Sequence, residues 1–208
     1  MKTYHTIEKN VYDYIGHHVF GFDKIDGSNF RAEWNRKLSK KNPFTNGFGK
    51  FGTRTEIIRN SPFGEAIGIF LDKYSEPLNK IFNDNKVFRG IDIITVYGEF
   101  IGENSFAGQH DWTEKHDLVI FDMFLYKKDF LKPRDFIDIF GHLGIPKLVI
   151  QGILDENIVK DIVSNVYRLK EGLVLKGVIE NKVFMVKVKT QDWINRIREK
   201  YGLNSVYE

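Results

Sequence analysis

The 208-residue chain contains no cysteine, which excludes disulfide bonds and zinc sites built from thiolates. It has no apolar run long enough to span a membrane, and its first residues, MKTYHTIEKN, lack the apolar segment of a secretory signal. Internal repeats and low-complexity tracts are also absent from the sequence. With 42% hydrophobic and 28% charged residues, these features predict a soluble, cytoplasmic protein with one main domain.

Several familiar chemical motifs are missing as well. The six histidines show no spacing typical of a metal site, and no G-x-S-x-G serine elbow occurs. The segment GFGKFG, residues 47–52, formally matches G-x-G-x-x-G. It follows KKNPFTN rather than a buried strand, so the context of a dinucleotide-binding fingerprint is absent.

Positive charge is concentrated in two segments, although the net charge is only +3. The segment from Arg31 to Arg54 contains a single acid, Glu33, and the segment from Lys182 to Lys200 is also basic. Such segments can neutralise nucleic-acid phosphates, but a solvated loop and a solvated helix face explain the charge equally well. The basic residues of the first segment are Arg31, Arg36, Lys37, Lys40, Lys41, Lys50 and Arg54.

The hydrophobic pattern predicts an α+β fold. Strand-like segments are VFGFD, NFRAEW, IDIITVYGEFIG, DLVIFDMFLY, KLVIQ, EGLVLKGVIE and VFMVKVKT. Helices are expected over 64–83 with a break at Pro77, and over 134–142, 155–167 and 192–201. Irregular alternation of strands and helices favours mainly antiparallel sheets flanked by helices. Residues 35–52 are predicted to form a long basic loop, and such loops often have a function.

The segment FGFDKIDGSNF places Lys24 between Asp23 and Asp26, followed by Gly27. One interpretation is a solvated turn between two strands. The other is a nucleophilic lysine on a loop whose glycine allows the backbone to approach a ligand closely.

Two later segments carry further charged residues on strands. In EGLVLKG, Glu171 opens a strand, and in FMVKVKT, Lys187 and Lys189 are two residues apart and so share one face. Phe184 and the valines that follow it occupy the opposite face, which is predicted to be core. Taken singly, each segment is also typical of a half-buried structural strand.

In combination and in this order, these segments resemble the motif series of the covalent nucleotidyltransferases, the superfamily of polynucleotide ligases and RNA capping enzymes. The resemblance covers residues 23–189, and K-I-D-G-S-N-F, G-T-R-T-E-I-I and E-G-L-V-L-K are most similar to RNA ligases of the nick-sealing RNA ligase 2 type. It implies an adenylation domain with an ATP-grasp-like ligase core. It also implies joining of 3′-hydroxyl and 5′-phosphate RNA ends, as in RNA repair, through a covalent lysyl–AMP.

The same resemblance assigns roles to individual residues. Lys24 would attack the α-phosphate of ATP, Glu171 would hold Mg²⁺ or Mn²⁺, and Lys187 and Lys189 would stabilise phosphate charge. Glu99, in VYGEFIG, would contact the ribose. The other nucleotide contacts implied are Asp23, Ile25, Asn29, Arg54 and Phe121. Our candidates for contact with the RNA strand are Asn29, Arg31, Arg54 and the basic loop that carries Arg36, Lys37, Lys40 and Lys41.

Physical arguments accompany these roles. A free lysine, with a pKa of about 10.4, is protonated near neutral pH, and neighbouring cations favour the neutral nucleophile. Asp23 and Asp26 would oppose this, so we expect neither to point at Lys24 when nucleotide is bound. Strand alternation places Phe121 on the face of Val119, Met123 and Leu125, which is compatible with purine stacking or with core.

The domain organisation predicted is an adenylyltransferase domain over 1–190 and a C-terminal helix and tail over 191–208, with no OB domain. The lack of an OB domain counts against a DNA ligase and against a GTP-using capping enzyme, which would share the lysine chemistry. Two further interpretations stay open: a non-sealing RNA-binding module with the same fold, and a ligase that needs a separate nucleic-acid-binding subunit.

Overall fold

The computed structural model describes residues 1–42, 44–58, 64–102 and 115–202. The strands are β1 (His18–Asp23), β2 (Ser28–Asn35), β3 (Phe48–Gly52), β4 (Ile93–Ile101), β5 (Asp117–Leu125), β6 (Leu148–Ile153), β7 (Gly172–Ile179) and β8 (Lys182–Lys189). The helices are α1 (Arg36–Ser39), α2 (Gly64–Phe70), α3 (Glu76–Asp84), α4 (Pro133–Phe140), α5 (Glu156–Val163) and α6 (Gln191–Tyr201). The tail predicted after α6 lies outside the described residues from position 203 onward.

The chain divides into two compact units. The first unit contains residues 1–5, 27–131 and 135–145, and the second contains residues 6–26, 132–134 and those from 146 onward. Each unit has its own four-stranded antiparallel sheet and its own apolar core.

The sheet of the first unit has the strand order β3-β2-β4-β5. One face is covered by a core rich in aromatic rings, because alternate residues of β2 (Phe30, Ala32 and Trp34) point toward the helices and are fully buried. Trp34 keeps a hydrogen-bond partner in this core, donating from Nε1 to Asn79 Oδ1 at 2.9 Å. Other members of the core are Phe70, Tyr74, Leu78, Phe82, Phe88, Ile120, Met123, Phe136 and Phe140.

The break expected at Pro77 takes the form of a π-helical turn. Residues Leu71–Ser75 form this turn between α2 and α3, and Pro77 lies in the first turn of α3. A proline has no backbone N–H to donate, so the regular α-helical ladder is interrupted here. Ser75 Oγ donates to the Leu71 carbonyl at 2.6 Å and satisfies one of the acceptors in the turn.

The sheet of the second unit has the strand order β6-β1-β7-β8. Strands β7 and β8 form a hairpin in which Ile179 pairs with Lys182. Both turn residues, Glu180 and Asn181, have positive φ, as the tightest hairpin turn requires. The core on one face of this sheet contains Val19, Leu154, Val159, Ile162, Leu173, Leu175, Val186 and Val188.

The α+β class with antiparallel sheets flanked by helices is confirmed. The predicted long loop over 35–52 is wrong in part, because this segment contains α1 and β3. GFGKFG forms the edge strand, with Phe48 fully buried and paired opposite Trp34. Among the described residues, the helices are all too short or too polar to cross a lipid bilayer.

Candidate active site

Lys24 directly follows β1, in the second unit. Its backbone N–H donates to the Gly172 carbonyl at 2.9 Å, which continues the pairing of β1 with β7 by one residue. Its Nζ donates to Glu171 Oε2 at 2.6 Å, across 147 positions of sequence. The K-x-D-G lysine and the E-G-x-V-x-K glutamate are therefore in direct contact.

Glu171 is 2% exposed and its carboxylate is shared between two lysines. Oε2 accepts from Lys24, and Oε1 lies 3.4 Å from Lys189 Nζ. A buried carboxylate needs such partners, since desolvation of an unpaired charge is very unfavourable. The backbone holds this arrangement as well, because the Thr190 N–H donates to the Glu171 carbonyl at 2.9 Å.

Lys187 and Lys189 lie on the same face of β8, as the alternation predicted. Lys189 Nζ also lies 3.6 Å from the ring centroid of Trp193, in the first turn of α6. Burial lowers the pKa of Lys189 to about 8. Glu171 opposes this shift, whereas the ammonium groups of Lys24 and Lys187 add to it. The site is therefore one in which a lysine releases its proton unusually readily.

Asp23 lies at the end of β1, one residue before Lys24. Burial raises the pKa of its carboxyl group, and the charge of Lys147 opposes that shift. Its Oδ1 is buried and accepts no hydrogen bond from the described residues. The expectation that neither Asp23 nor Asp26 points at Lys24 concerns the nucleotide-bound state, and it stays a prediction.

Gly27 has a packing role that the sequence interpretation did not include. A Cβ at this position would lie 2.5 Å from the Phe100 carbonyl oxygen and 2.8 Å from Glu99 Cγ. Glycine is therefore required here by the close approach of β4, independently of any room for a ligand.

Asn29 and Glu99 lie opposite each other on β2 and β4 in the first unit. Asn29 Oδ1 is buried and accepts no hydrogen bond within the described part of the chain. Glu99 is half-buried and pairs across the sheet with Val119 of β5. These polar side chains lie on the face of the sheet opposite the aromatic core.

The face assigned to Phe121 from strand alternation is wrong in part. A bulge lies in the β4–β5 pairing, so that Gly98 pairs with Ile120 and Tyr97 pairs with Asp122. The extra residue, Phe121, is half-buried, whereas Met123 and Leu125 join the core. A β-bulge reverses the alternation beyond it, and this removes Phe121 from the core face.

The ring of Phe121 is contacted by Tyr4. Their centroids are 5.2 Å apart with planes at 83°, an edge-to-face pair. The Tyr4 hydroxyl donates to Asp122 Oδ2 at 2.9 Å, and burial, followed by Asp122, raises the pKa of Tyr4 strongly. Neither Tyr4 nor Asp122 was a candidate from the sequence, because their pairing joins positions 118 residues apart.

The arginines in the first unit differ in their surroundings. Arg31 is 2% exposed, and burial lowers its pKa. Its Nη2 donates to the Glu56 carbonyl at 3.4 Å, whereas Nε and Nη1 have no acceptor within the described chain. Arg54 is exposed in the turn after β3.

Arg36 has a structural role. It donates to the carbonyl oxygens of Ile91, Phe82 and Phe88 at 2.9–3.2 Å, and to Asn83 Oδ1 at 3.2 Å. Its guanidinium also lies 5.1 Å from the Trp34 ring centroid. Lys37, by contrast, is exposed. Contact of either residue with RNA remains a prediction.

Two residues beside Lys187 and Lys189 were missed from sequence. Lys176 is buried on the same face of the sheet and lies 5.3 Å from the Phe22 ring centroid. Strand alternation in EGLVLK places Lys176 on the same face as Gly172 and Val174, and this spacing could have identified it from the sequence. The ring of Trp193 lies against Lys189 Nζ. The sequence feature that could have predicted this contact is the helix start QDW, which directly follows the strand end KVKT.

The described residues offer a divalent metal ion few protein ligands. Within the described residues no three acidic or histidine side chains cluster as a metal site. Mg²⁺ commonly binds one or two carboxylates together with water and phosphate oxygens, and Mn²⁺ also suits oxygen ligands. The single buried carboxylate of Glu171 fits this mode, in competition with Lys24 and Lys189.

Comparison with known families identifies the chain. The sequence model described as RNA ligase matches residues 17–189. The chain belongs to the RNA ligase family. No curated protein sequence matches it.

Solved structures of an RNA ligase from Naegleria gruberi share the fold. The structure with pyrophosphate has a TM-score of 0.68 at 15% identity, covering 96% of this chain and 58% of that one. A variant with ATP and Mn has a TM-score of 0.66 at 16% identity, covering 92% and 57%. Another variant, with AMP and Mn, has a TM-score of 0.66 at 16% identity, covering 94% and 58%. The chain therefore spans about 58% of the length of these ligases.

Proposed function

We propose that this RNA ligase family member is an ATP-dependent RNA ligase of the nick-sealing RNA ligase 2 type that works through a covalent lysyl–AMP on Lys24. The observation that carries the proposal is the contact of Lys24 Nζ with Glu171 Oε2 at 2.6 Å, beside Lys189 at 3.4 Å from Oε1. A purely structural lysine would not need a buried carboxylate that is shared with a second lysine of lowered pKa.

In the first step, the deprotonated Lys24 amine attacks the α-phosphorus of ATP. An N–P bond forms, the bond to the β-phosphate oxygen breaks, and pyrophosphate leaves. Lys24 must first leave its ion pair with Glu171 and lose a proton. The positive charge of Lys187 and Lys189 attracts the phosphates of ATP.

Glu171 would hold Mg²⁺ or Mn²⁺, the ion that supplies positive charge to the phosphates when bound. The Naegleria gruberi ligase has been solved with ATP and Mn, which supports the pairing of ATP with a divalent ion here. With the ion bound, the Glu171 carboxylate would no longer neutralise Lys24, so ion binding and release of the Lys24 side chain from its ion pair would be linked.

The remaining nucleotide contacts follow the roles that the motif series implies. Glu99 would accept a hydrogen bond from a ribose hydroxyl, and Phe121 would stack on the purine, for which its position outside the core is favourable. The other nucleotide candidates are Asp23, Ile25, Asn29 and Arg54, and the RNA candidates are Asn29, Arg31, Arg36, Lys37 and Arg54.

Two further steps complete sealing. A 5′-phosphate oxygen of RNA attacks the AMP phosphorus, the N–P bond breaks, and Lys24 regains its amine. The 3′-hydroxyl then attacks the 5′-phosphate, a phosphodiester forms, and AMP leaves. A separate nucleic-acid-binding subunit is the second candidate route to these last two steps. The boundary of the adenylyltransferase domain at residue 190 also stays a prediction.

The test is covalent labelling. The protein is mixed with Mg²⁺ and α-labelled ATP or α-labelled GTP, and the products are separated on a denaturing gel. We expect label from ATP, with Lys24→Ala reducing it below detection because no other amine takes its place. Lys182→Ala is the matched control, since Lys182 is an exposed lysine of the same sheet.

The outcomes separate the candidate functions. Label from GTP instead of ATP would indicate a capping-type enzyme. No label from either nucleotide, with folded protein whose mass excludes prior adenylylation, would favour a non-sealing RNA-binding module. Label that persists in Lys24→Ala would disprove the assignment of the nucleophile.

A further inference from the structure

The segment from α1 to the start of β3 in the first unit combines exposed cations with an exposed aromatic ring. Lys37, Lys40, Lys41 and Phe44 are all exposed, and we call these four residues the basic tip. No acidic residue occurs between Trp34 and Phe51 in the sequence. Within the described chain, none of the three lysines forms an ion pair.

The two ends of this segment are fixed to the body of the unit. On the N-terminal side, Ser39 Oγ donates to Asn79 Oδ1 at 2.7 Å. On the C-terminal side, Asn46 Nδ2 donates to Ser75 Oγ at 3.0 Å, and Phe48 is fully buried. A tip held at both ends loses less conformational entropy on binding a ligand than a free loop does.

Phe44 contributes nothing to the core. Its side chain is 91% exposed, the largest value among the exposed large hydrophobic side chains of the described residues. Its backbone N–H donates to Asn42 Oδ1 at 3.1 Å, so a local turn fixes the direction of the chain at this point. A single exposed apolar side chain needs no explanation, but here it stands beside three exposed lysines.

We propose that the basic tip binds an unpaired RNA strand, with Phe44 stacking on a base and Lys37, Lys40 and Lys41 contacting phosphates. Aromatic stacking combined with a positively charged surface is the usual way in which proteins hold single strands. In a duplex the base faces are covered, so a ring of this kind can engage only unpaired nucleotides or a helix end. The proposal rests on the proposed ligase function and adds that the RNA to be sealed carries unpaired nucleotides beside the duplex that holds the nick.

The experiment uses anisotropy to measure binding of a fluorescein-labelled single-stranded oligouridine and of a long RNA duplex, in which only the two terminal base pairs expose a base face. ATP and metal ions are left out, so the result does not depend on whether Lys24 reacts. Phe44→Ala should weaken single-strand binding about tenfold, within the range for loss of one stacked base, and leave duplex binding within about twofold. Phe44→Trp should restore the affinity, and its added tryptophan fluorescence should be quenched by the bound base.

Tyr126→Ala is the matched control. Tyr126 is 52% exposed in the same unit and has Lys127 Nζ at 5.8 Å from its ring centroid, so it is also an aromatic ring beside a lysine. It lies outside the basic tip, and its loss should change single-strand affinity by less than about twofold.

The lysines are tested through salt dependence. Changing Lys37, Lys40 and Lys41 to glutamine should reduce the slope of log affinity against log salt by about 2, since each single-strand phosphate contact contributes about 0.7. Unaltered single-strand affinity in Phe44→Ala would overturn the proposal. So would equal competition by polyglutamate and by unlabelled oligouridine, which would indicate a surface for acidic protein. Failure of lysyl–AMP formation with these binding results intact would overturn the ligase function alone.

Discussion

Gly172 provides the sharpest test of how the fold positions Glu171 and Lys189. It pairs with Lys189 across the β7–β8 hairpin and directly follows Glu171. A Cβ at this position would lie 2.7 Å from Lys189 Cα and closer still to the Val188 carbonyl oxygen. Ordinary contact begins near 3.4 Å, so the two strands would have to separate by at least about 0.7 Å.

The expected cost follows from this geometry. Overpacking against side chains costs about 1–3 kcal/mol, and here the obstacle is backbone, which cannot rotate away. We therefore expect Gly172→Ala to lower the free energy of unfolding by about 3 kcal/mol. For a chain of this size that corresponds to a fall in Tm of about 6–12 °C.

Urea unfolding followed by tryptophan fluorescence measures the stability, and α-labelled ATP measures lysyl–AMP formation. Because the strands separate where Glu171 and Lys189 are held, the rate of labelling should fall about a hundredfold, as for misplacement of a reacting group by about 1 Å. Gly152→Ala is the control, since Gly152 lies on β6, at the opposite edge of the same sheet from β8, and a Cβ there meets nothing within 4 Å. Its stability should change by no more than about 1 kcal/mol. If Gly172→Ala matches the unaltered protein within about 0.5 kcal/mol, the close approach of the strands is not the reason for this glycine.

Two further predictions concern buried and half-buried cations. Arg36→Lys should lower the free energy of unfolding by about 1–3 kcal/mol, because a lysine cannot reach three carbonyl groups and an amide oxygen together. The control, Lys37→Ala, should change the free energy of unfolding by less than about 0.5 kcal/mol. Equal effects of the two substitutions in urea unfolding would show that the Arg36 hydrogen bonds do not stabilise the fold. Between pH 8 and 10.5, folded Lys189 has released its proton while the unfolded lysine still holds it, so this group makes stability rise with pH. In Lys189→Met, the free energy of unfolding should rise less between pH 8 and 10.5 than in the unaltered protein. If the two proteins show the same dependence of stability on pH, the pKa of Lys189 is not lowered.

The alternation of residues along strands gave the most accurate predictions from the sequence. Lys187 and Lys189 share a face because they are two residues apart on a regular strand, and the valines between and beside them form core as expected. The antiparallel sheets followed from the same reasoning, because short apolar segments with turn residues between them have few other solutions.

Sequence reasoning was least accurate where one extra residue shifted the alternation along a strand, or where the contacts of a residue lay far away in the sequence. The bulge at Phe121 could not be read from VIFDMF, in which apolar residues occupy both faces. The structural contacts of Arg36 could not be predicted either, because its carbonyl acceptors lie 46–55 residues away in the sequence; contact of Arg36 with RNA stays a prediction. The sequence predicts loop where β3 lies, because the segment is rich in glycine and follows KKNPFTN, although Phe48 is fully buried.

The contact of Lys24 with Glu171 also changes how the motif series is understood. The sequence assigned one role to each residue: a nucleophile, a metal ligand and two phosphate-binding lysines. In the folded chain the same carboxylate pairs with Lys24 and lies close to Lys189, so these roles exclude one another in part. If Glu171 turned to a metal ion, as the proposed function requires, both ammonium groups would lose this counter-charge at once. Under the proposed function, the observed ion pair and the reactive site would then be two arrangements of one cluster, and the charge of nucleotide and metal would decide between them.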